Sequence, residues 1–381
     1  MSVEERSVPV REWICDPLPS DVGRVLDRLR RSEGIERIAV MPDVHLSGSF
    51  CIGTIVAARE RLYPGAVGGD IGCGMAALRF EAHAGGVLDG RADAQRVLRA
   101  LRTLVPTNRH SAETMPMSLP EGLEEAALSA GSLGRRRRRD GRVQFATLGR
   151  GNHFLELQSD DEGWLWLMVH SGSRAVGQAI ALHHLRHCSK EPGGLEFLEA
   201  DSTAGRAYLA DVAWARAYAH ASRLGMIDAV EAILGELFGV ETDPESLITC
   251  DHNHVQREDH FGHALWVHRK GALSAKCREA GIIPGSMGTE SYHTEGRGCA
   301  DALLSSSHGA GRRMSRTEAR QRIREKDFRR QMSGVWYDES LGERLRDEAP
   351  GAYKDVGSVM RAQRDLTRIV RRLRPLLVYK G

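Results

Sequence analysis

The stretch WLWLMVHSGSR runs from Trp164 to Arg174. Six apolar residues in succession, with a glycine before them and a Gly-Ser loop after, read as a strand buried on both faces. The strand ends on His170, and Arg174 follows in the loop. A strand end holds an imidazole rigidly while the loop beyond it shapes a pocket. The same design recurs twice. ITCDHNHV brings His252 to the end of an apolar run, and TLGRGNHFLELQ places His153 at the edge of one, with Asn152 and Glu156 beside it. A histidine at any one of these places is more often structural; three strands that each present one point to a shared site.

Other strands and helices lie irregularly on either side. RIAVMPDVH reads as a strand that stops at Pro42, and CIGTIVAA as a β-branched strand. GGDIGCGMAALRF is a glycine loop feeding a strand, while ALWVHRKG and GIIPGSMG are strand-to-loop units. RLRPLLVYKG is an apolar strand running to Gly381, which predicts a docked tail. Periodicity predicts helices over Ser20–Ser32, Asp93–Val105, Pro120–Leu133, Ser315–Phe328 and Val356–Val370, and a mostly helical stretch from Arg174 to Phe238. There is no regular βαβ spacing, so the fold class is α+β rather than doubly wound.

The chain has 381 residues, a length that fits one large domain or two fused ones. It is 41% hydrophobic and 27% charged with a net charge of +2, so any nucleic-acid contact must come from local basic patches. The N-terminus MSVEERSVPVREWICD has no apolar core and is not a signal peptide, and no apolar run is long enough to span a bilayer. Seven cysteines are scattered without a CxxC pair, which points to the reducing cytoplasm and away from a zinc ribbon.

Several segments bear chemistry. Asp70 and Cys73 share the loop GGDIGCG, whose glycines allow a turn that aims both side chains at one spot. With His153, His170 and His252 they make five O, S and N donors, a number that suits two metal ions sharing a ligand better than one tetrahedral zinc. His183, His184 and His187 fall on a helix and read as a solvated face; His254, His260, His263 and His268 read mostly as structural. Gly285, Ser286 and Gly288 form a small-residue loop whose amides can cradle phosphates, although no Walker A sequence follows. SSSHGAGRRMSR sets His308 among serines and glycines, open enough for a large group to approach. Arg135–Arg139 read as a basic surface loop; a solvated turn is the default, and an RNA-backbone contact the alternative.

Ten segments, MPDVH, VGGDIGCGM, TLGRGNHFLE, VHSGSR, HNHVQRE, HRKGA, GIIPGSMG, SSSHGAGRRMSR, EAPGAYKDV and RLRPLLVYKG, occur in one order from about Val40 to Gly381. In these segments the chain resembles the RtcB family of GTP-dependent RNA ligases, most closely its shorter bacterial members. The resemblance implies a single α+β domain over residues 1–381 around a dinuclear metal pocket. It also implies joining of RNA 2′,3′-cyclic phosphate or 3′-phosphate ends to 5′-hydroxyl ends, with GTP and two manganese ions. On this resemblance His308 is the nucleophile that takes GMP and Asp43 orients it, while Arg174 and Arg312 hold RNA phosphate. Asp70, Cys73, His153, His170 and His252 hold the metal, with Cys73 bridging. Asn152, His153, Phe154, Leu155, Glu156, His252, Asn253, Pro284, Gly285, Ser286, Met287, Ser291, Gly309, Ala310, Gly311 and Lys380 line the GTP site. A manganese-dependent RNA 3′-end phosphatase or cyclic phosphodiesterase, and an RNA-end-binding protein without turnover, are the competing readings.

Overall fold

The computed structural model describes residues 7–381. Along the chain come β1 (Val10–Glu12), α1 (Ser20–Arg30), β2 (Ile35–His45), β3 (Ile52–Ala58), β4 (Gly74–His83) and α2 (Arg91–Leu104). Next are α3 (Gly131–Gln144), β5 (Phe154–Asp160), β6 (Trp164–Ser171), α4 (Arg174–Leu185) and α5 (Thr203–Phe238). The long hairpins β7 (Thr242–Asp251), β8 (Asn253–His260) and β9 (His263–Lys270) follow, then β10 (Ala272–Ser274), β11 (Ala280–Ile283), β12 (Ser291–Gly296) and β13 (Ser305–Ser307). The chain ends through α6 (Arg316–Arg322), α7 (Glu325–Gln331), β14 (Trp336–Tyr337), α8 (Val356–Ala362) and β15 (Thr367–Tyr379).

Two sheets organise these elements. The first has the order β1-β2-β3-β9-β8, and the second β7-β4-β6-β5-β15-β12-β11 with β14 paired to β15. Apart from β1 on β2 and β14 on β15, every pair in them is antiparallel. Antiparallel sheets with helices packed on them make the fold α+β, as expected. Among the described residues no helix is long and apolar enough to cross a membrane.

Strand parity divides the second sheet. Side chains alternate faces along a strand. On one face Leu155, Leu157, Leu165, Leu167, Val169, Leu78 and Phe80 pack against Val97 and Leu101 of α2 and Met226, Val230 and Ile233 of α5. α5 is 36 residues long, is capped by Ser202, whose side chain accepts from Gly205 N, and stops before the left-handed Gly239. On the opposite face lie Met75, Ala77, Trp166 and Met168, with Phe154, Ile248 and Cys250 against them. His170, Cys73 and His252 have the parity of this second group.

The first sheet is pinned by a buried ion pair. Arg269 on β9 reaches both Glu258 oxygens at 2.7 and 3.1 Å, and also bonds Ser305 Oγ and Leu303 O at 3.0 Å each. Burial alone would raise the Glu258 carboxyl; His260 and Arg269 hold it down to about 2. Removing one partner strands a buried charge, so Arg269→Met is expected to lower stability by about 3–5 kcal/mol. Denaturant unfolding measures this, and a loss below about 1 kcal/mol would mean that the pair is not closed in solution.

Five readings of the sequence are corrected. β2 does not stop at Pro42 but runs to His45, with a register shift between Val40 and His45 that accommodates the missing N–H. Helix does not span Pro120–Leu133. That stretch turns at Gly122, and the helix begins at Gly131. Arg135–Arg139 are therefore inside α3, not in a loop. Tyr218 donates to Gly141 O at 2.7 Å, and Arg137 donates to the carbonyl of Ala126, so tertiary bonds hold as helix a segment that reads as solvated. The helix predicted over Val356–Val370 gives way at Ala362, because Thr367, Ile369 and their neighbours pair with β12. His184 is also buried rather than solvated, 2.7 Å from Asp211.

Candidate active site

Four strand ends meet between the two sheets. β4 begins after Cys73, β6 ends at Ser171 just past His170, the chain turns at His252 between β7 and β8, and His153 precedes β5. His252 N donates to Cys73 O at 2.9 Å, which locks two of these ends together. His153 Nε2 is 2.8 Å from Asp70 Oδ2 and 3.5 Å from Cys73 Sγ. His170 Nε2 is 3.2 Å from Cys73 Sγ and 3.4 Å from His252 Nε2. The donor atoms form two triads, Asp70-Cys73-His153 and Cys73-His170-His252, each with its atoms within 4.8 Å of one another. Cys73 is common to both.

The protonation chemistry of this cluster favours a cation. His170 Nδ1 lies 3.1 Å from Asn152 O and can only donate to it, which places the lone pair on Nε2. Burial pushes His170 well down, as do the neighbouring His252 and His153, and burial pushes His252 well down too. Two neutral imidazoles therefore face each other at 3.4 Å. Burial and the Asp70 carboxylate push the Cys73 thiol well up. Burial alone would raise Asp70, but His153 beside it holds it below the usual carboxylate range. Carboxylate, thiol and imidazoles gathered in a buried space are a donor set for divalent transition-metal ions.

Close approach requires glycine at two places here. A Cβ on Gly149, whose φ is 102°, would lie 2.2 Å from His153 Nδ1, and one on Gly172 would lie 2.2 Å from Asp70 Oδ1. Arg174, the first residue of α4, has a left-handed φ of 57°, which stores strain where the loop after β6 enters the helix. Its Nε bonds Thr147 Oγ1 and its Nη2 bonds Thr107 O.

His308 stands beside the cluster, its ring centroid 4.6 Å from that of His252. It is delivered by β13, which pairs with β10, and Gln363 completes Ser307 by bonding its N and its Oγ. His308 Nδ1 is 2.7 Å from Oδ2 of the fully buried Asp43. The carboxylate accepts the Nδ1 proton, so the lone pair lies on Nε2. Asp43 itself sits in the irregular part of β2, and Lys354 Nζ donates to Pro42 O and Val44 O on either side of it, at 2.7 and 3.3 Å.

His308 and His170 both line a cavity of about 320 Å³. Its walls include Phe154 and Glu156 from β5, Pro284 to Met287 after β11, Gly309 to Arg312, and Lys380. Lys380 is buried and paired with Glu348 at 2.8 Å, so the tail is docked. Burial raises Glu156 to about 8, against the opposing pull of Gln158 and Lys380.

A sequence model of the RtcB family, described as tRNA-splicing ligase RtcB, matches residues 26–132 and 123–381. The chain belongs to the RtcB family. It is 35% identical to the RNA-splicing ligase RtcB of Escherichia coli strain K12, with 98% of each chain covered. It is 30% identical to the tRNA-splicing ligase RtcB of Archaeoglobus fulgidus over 90% of this chain and 87% of that one. An RNA-splicing ligase RtcB of Mycobacterium tuberculosis is 29% identical over 91% and 98%.

The residues that resemblance to the RtcB family singles out fall into three groups in the structure. Those of the metal set and most of those assigned to GTP surround the cavity and the cluster just described. A second group supports that space from behind. Leu155 has its side chain in the helix-packed core, because it alternates with Phe154 and Glu156. Asn253 Nδ2 donates to Asp70 O and its Oδ1 accepts from Gly271 N, so it ties the Asp70 loop to the turn beside His308. Ser291 Oγ accepts from Gly285 N, and Thr289 Oγ1 accepts from Ser286 N, so these two amides are occupied rather than open to a phosphate. In the third group is Arg312, whose donors are taken by Met314 O, Glu348, Tyr353 and Asp347 O. His45, Leu46, Ile52, Met75, Arg316, Glu348 and Tyr353 also line the cavity without having been singled out from the sequence. Glu348 and Tyr353 lie in EAPGAYKDV, and that motif was their only signal.

Proposed function

We propose that this chain is a cytoplasmic RNA ligase that joins a 2′,3′-cyclic phosphate or 3′-phosphate end to a 5′-hydroxyl end, in RNA repair or tRNA splicing, at the expense of GTP. The carrying observation is the placement of His308, oriented by Asp43 at 2.7 Å, between a nucleotide-sized cavity and a five-donor cluster. The names of the relatives support RNA joining, and the seven unpaired cysteines support a reducing compartment.

In this reading GTP occupies the cavity, with Glu156 and Lys380 in its wall. Nε2 of His308 attacks the α-phosphorus and pyrophosphate leaves, while Asp43 stabilises the positive charge that develops on the ring. Asp70, Cys73, His153, His170 and His252 would hold two divalent ions, manganese on the family resemblance, which when bound screen phosphate charge and polarise phosphoryl oxygens. A 2′,3′-cyclic end is first opened by water, which breaks the P–O2′ bond and leaves a 3′-phosphate and a 2′-hydroxyl, and the RNA 3′-phosphate then takes GMP from His308. A bare phosphate is a poor electrophile, and GMP makes a good leaving group. The 5′-hydroxyl attacks that phosphorus, loses its proton, and GMP departs. Arg174 holds RNA phosphate, whereas Arg312 shapes the loop after His308 through its four scaffold partners.

Tracing one phosphorus atom tests this. RNA with a labelled 2′,3′-cyclic phosphate is incubated with a 5′-hydroxyl partner, GTP and manganese. The junction phosphate is expected to be the labelled one, and His308→Ala is expected to stop at the 3′-phosphate. A junction labelled from GTP would reverse the polarity, and free phosphate without joined RNA would favour the phosphatase.

A further inference from the structure

α3 places six arginines, 135 to 139 and 142, in one turn of surface after another. Positions 135, 138, 139 and 142 recur at i, i+3, i+4 and i+7, and so share one face of the helix. Arg135, Arg138 and Arg139 are exposed and Arg142 is half-buried. The intervening pair turns away. Arg136 is 2.5 Å from Asp140, and Arg137 donates to the carbonyls of Ala126 and Leu123. The inner arginines thus hold the fold and the outer ones form a stripe, of which Arg142 also donates to Met117 O at 2.8 Å.

The charges around this stripe leave it strongly positive. Asp140 is the one carboxylate on the helix and is shared between Arg136 and Arg139. Among the described residues Arg135 and Arg138 have no ion pair. Glu124 and Glu125, on the segment that packs beside α3, accept from the amides of Leu119 and Gly122 in their own turn. Like charges three and four residues apart repel on a helix, so the free stripe works against local stability, and a bound polyanion relieves it.

The stripe leads to the active site. Gln144, the last residue of α3, accepts from Ala175 N at 3.1 Å, beside Arg174, and Thr147 Oγ1 accepts from Arg174. The chain then turns through the exposed Arg150 to His153. Arg109 is exposed as well, and the next residue, His110, bonds Val143 O near the end of α3. Arg316, on the cavity wall, comes within 3.8 Å of a Cβ placed on Gly151. Cationic side chains therefore run from the outer face of α3 to the mouth of the cavity. From Arg135 to Arg142 the helix rises about 10 Å, so the stripe can face more than one phosphate of a strand laid along it.

We infer that the outer face of α3 binds the phosphate backbone of the RNA strand whose end is processed at His308, through Arg135, Arg138, Arg139 and Arg142. This rests on the ligase reading for the presence of RNA, but it is tested separately. Backbone contacts carry no sequence information and release counterions, so they set affinity and salt dependence rather than base preference.

The experiment measures anisotropy of a labelled single-stranded RNA ending in a 3′-phosphate, with full-length protein, over a range of salt. In the triple variant Arg135→Gln, Arg138→Gln and Arg139→Gln the slope of log K against log salt is expected to flatten by about 0.7 per lost contact, about 2 in all, equally for RNAs of different sequence. Replacing the same three by lysine is expected to restore the slope, and circular dichroism shows whether both variants remain helical. An unchanged slope in a folded glutamine variant would overturn the inference. So would a loss confined to one RNA sequence, or a stripe-dependent affinity for a polyglutamate peptide with RNA binding unaffected. The ligase reading is tested independently by transfer of label from GTP to the unsubstituted protein.

Discussion

His308→Ala and His308→Asn leave no label on the protein after incubation with manganese and GTP radiolabelled at the α-phosphate, and RNA joining falls by about a million-fold, the scale seen when a covalent nucleophile is deleted. The unsubstituted protein is expected to acquire label that acid removes and base does not, as a phosphoramidate requires. The asparagine variant separates chemistry from folding. Asp43 is fully buried and its Oδ1 already has no hydrogen-bond partner among the described residues. Truncation to alanine also removes the donor that faces Oδ2 at 2.7 Å, which leaves a buried carboxylate poorly satisfied. Asparagine can still donate an N–H to Asp43 but offers no nucleophilic nitrogen. If the asparagine variant is folded and takes label, His308 is not the acceptor. If ATP labels the unsubstituted protein as well as GTP does, the nucleotide assignment fails.

What could be read from the sequence followed a short-range rule, and what could not depended on distant partners. The run from Trp164 to Val169 announces a strand buried on both faces, and alternation then fixes that His170 shares a face with Trp166 and Met168. The same rule applied to Phe154, Leu155 and Glu156 would have removed Leu155 from the cavity wall, since its neighbours occupy the other face. The helical state of α3 was not accessible in this way. Like charges three and four residues apart and the glycines Gly134 and Gly141 disfavour an isolated helix there, and bonds from Tyr218 and to Ala126 override that local preference. The passage of β2 through Pro42 was hidden for the same reason. The carbonyls around Asp43 are satisfied by Lys354, more than three hundred residues away. Glu348 and Tyr353 belong to a motif with no histidine or cysteine, so a count of His and Cys donors passed over them although they line the cavity and occupy Arg312.

Cys73→Ala is the sharpest test of the cluster, because Cys73 is the one residue common to both triads. Loss of His153 would deprive only the Asp70 triad, and loss of His252 only the other. Loss of the thiol removes a donor from each. The expected result is a fall in bound manganese from two ions to fewer than one per chain at a metal concentration that saturates the unsubstituted protein, measured on the isolated protein by elemental analysis. RNA joining and GTP labelling are expected to fall by more than the roughly 10–100-fold that removal of an outer partner of a metal ligand typically causes. Folding is expected to persist. The Cys73 side chain is small, and Gly72, Cys73 and Asp70 are held by backbone bonds to Asn253 and His252 and by Asn253 Nδ2, none of which uses the sulfur. Cys188→Ala serves as the control. Cys188 is only partly buried, its Sγ bonds His184 O at the end of α4, and burial pushes its thiol up to about 12, so it has no place in the cluster and its removal leaves metal content and joining unchanged. Should Cys73→Ala retain two manganese ions and full labelling, the sulfur is not shared. The convergence of His170 and His252 at 3.4 Å would then need a single ion held by the imidazoles, with Asp70 and His153 left as an ordinary carboxylate–histidine pair.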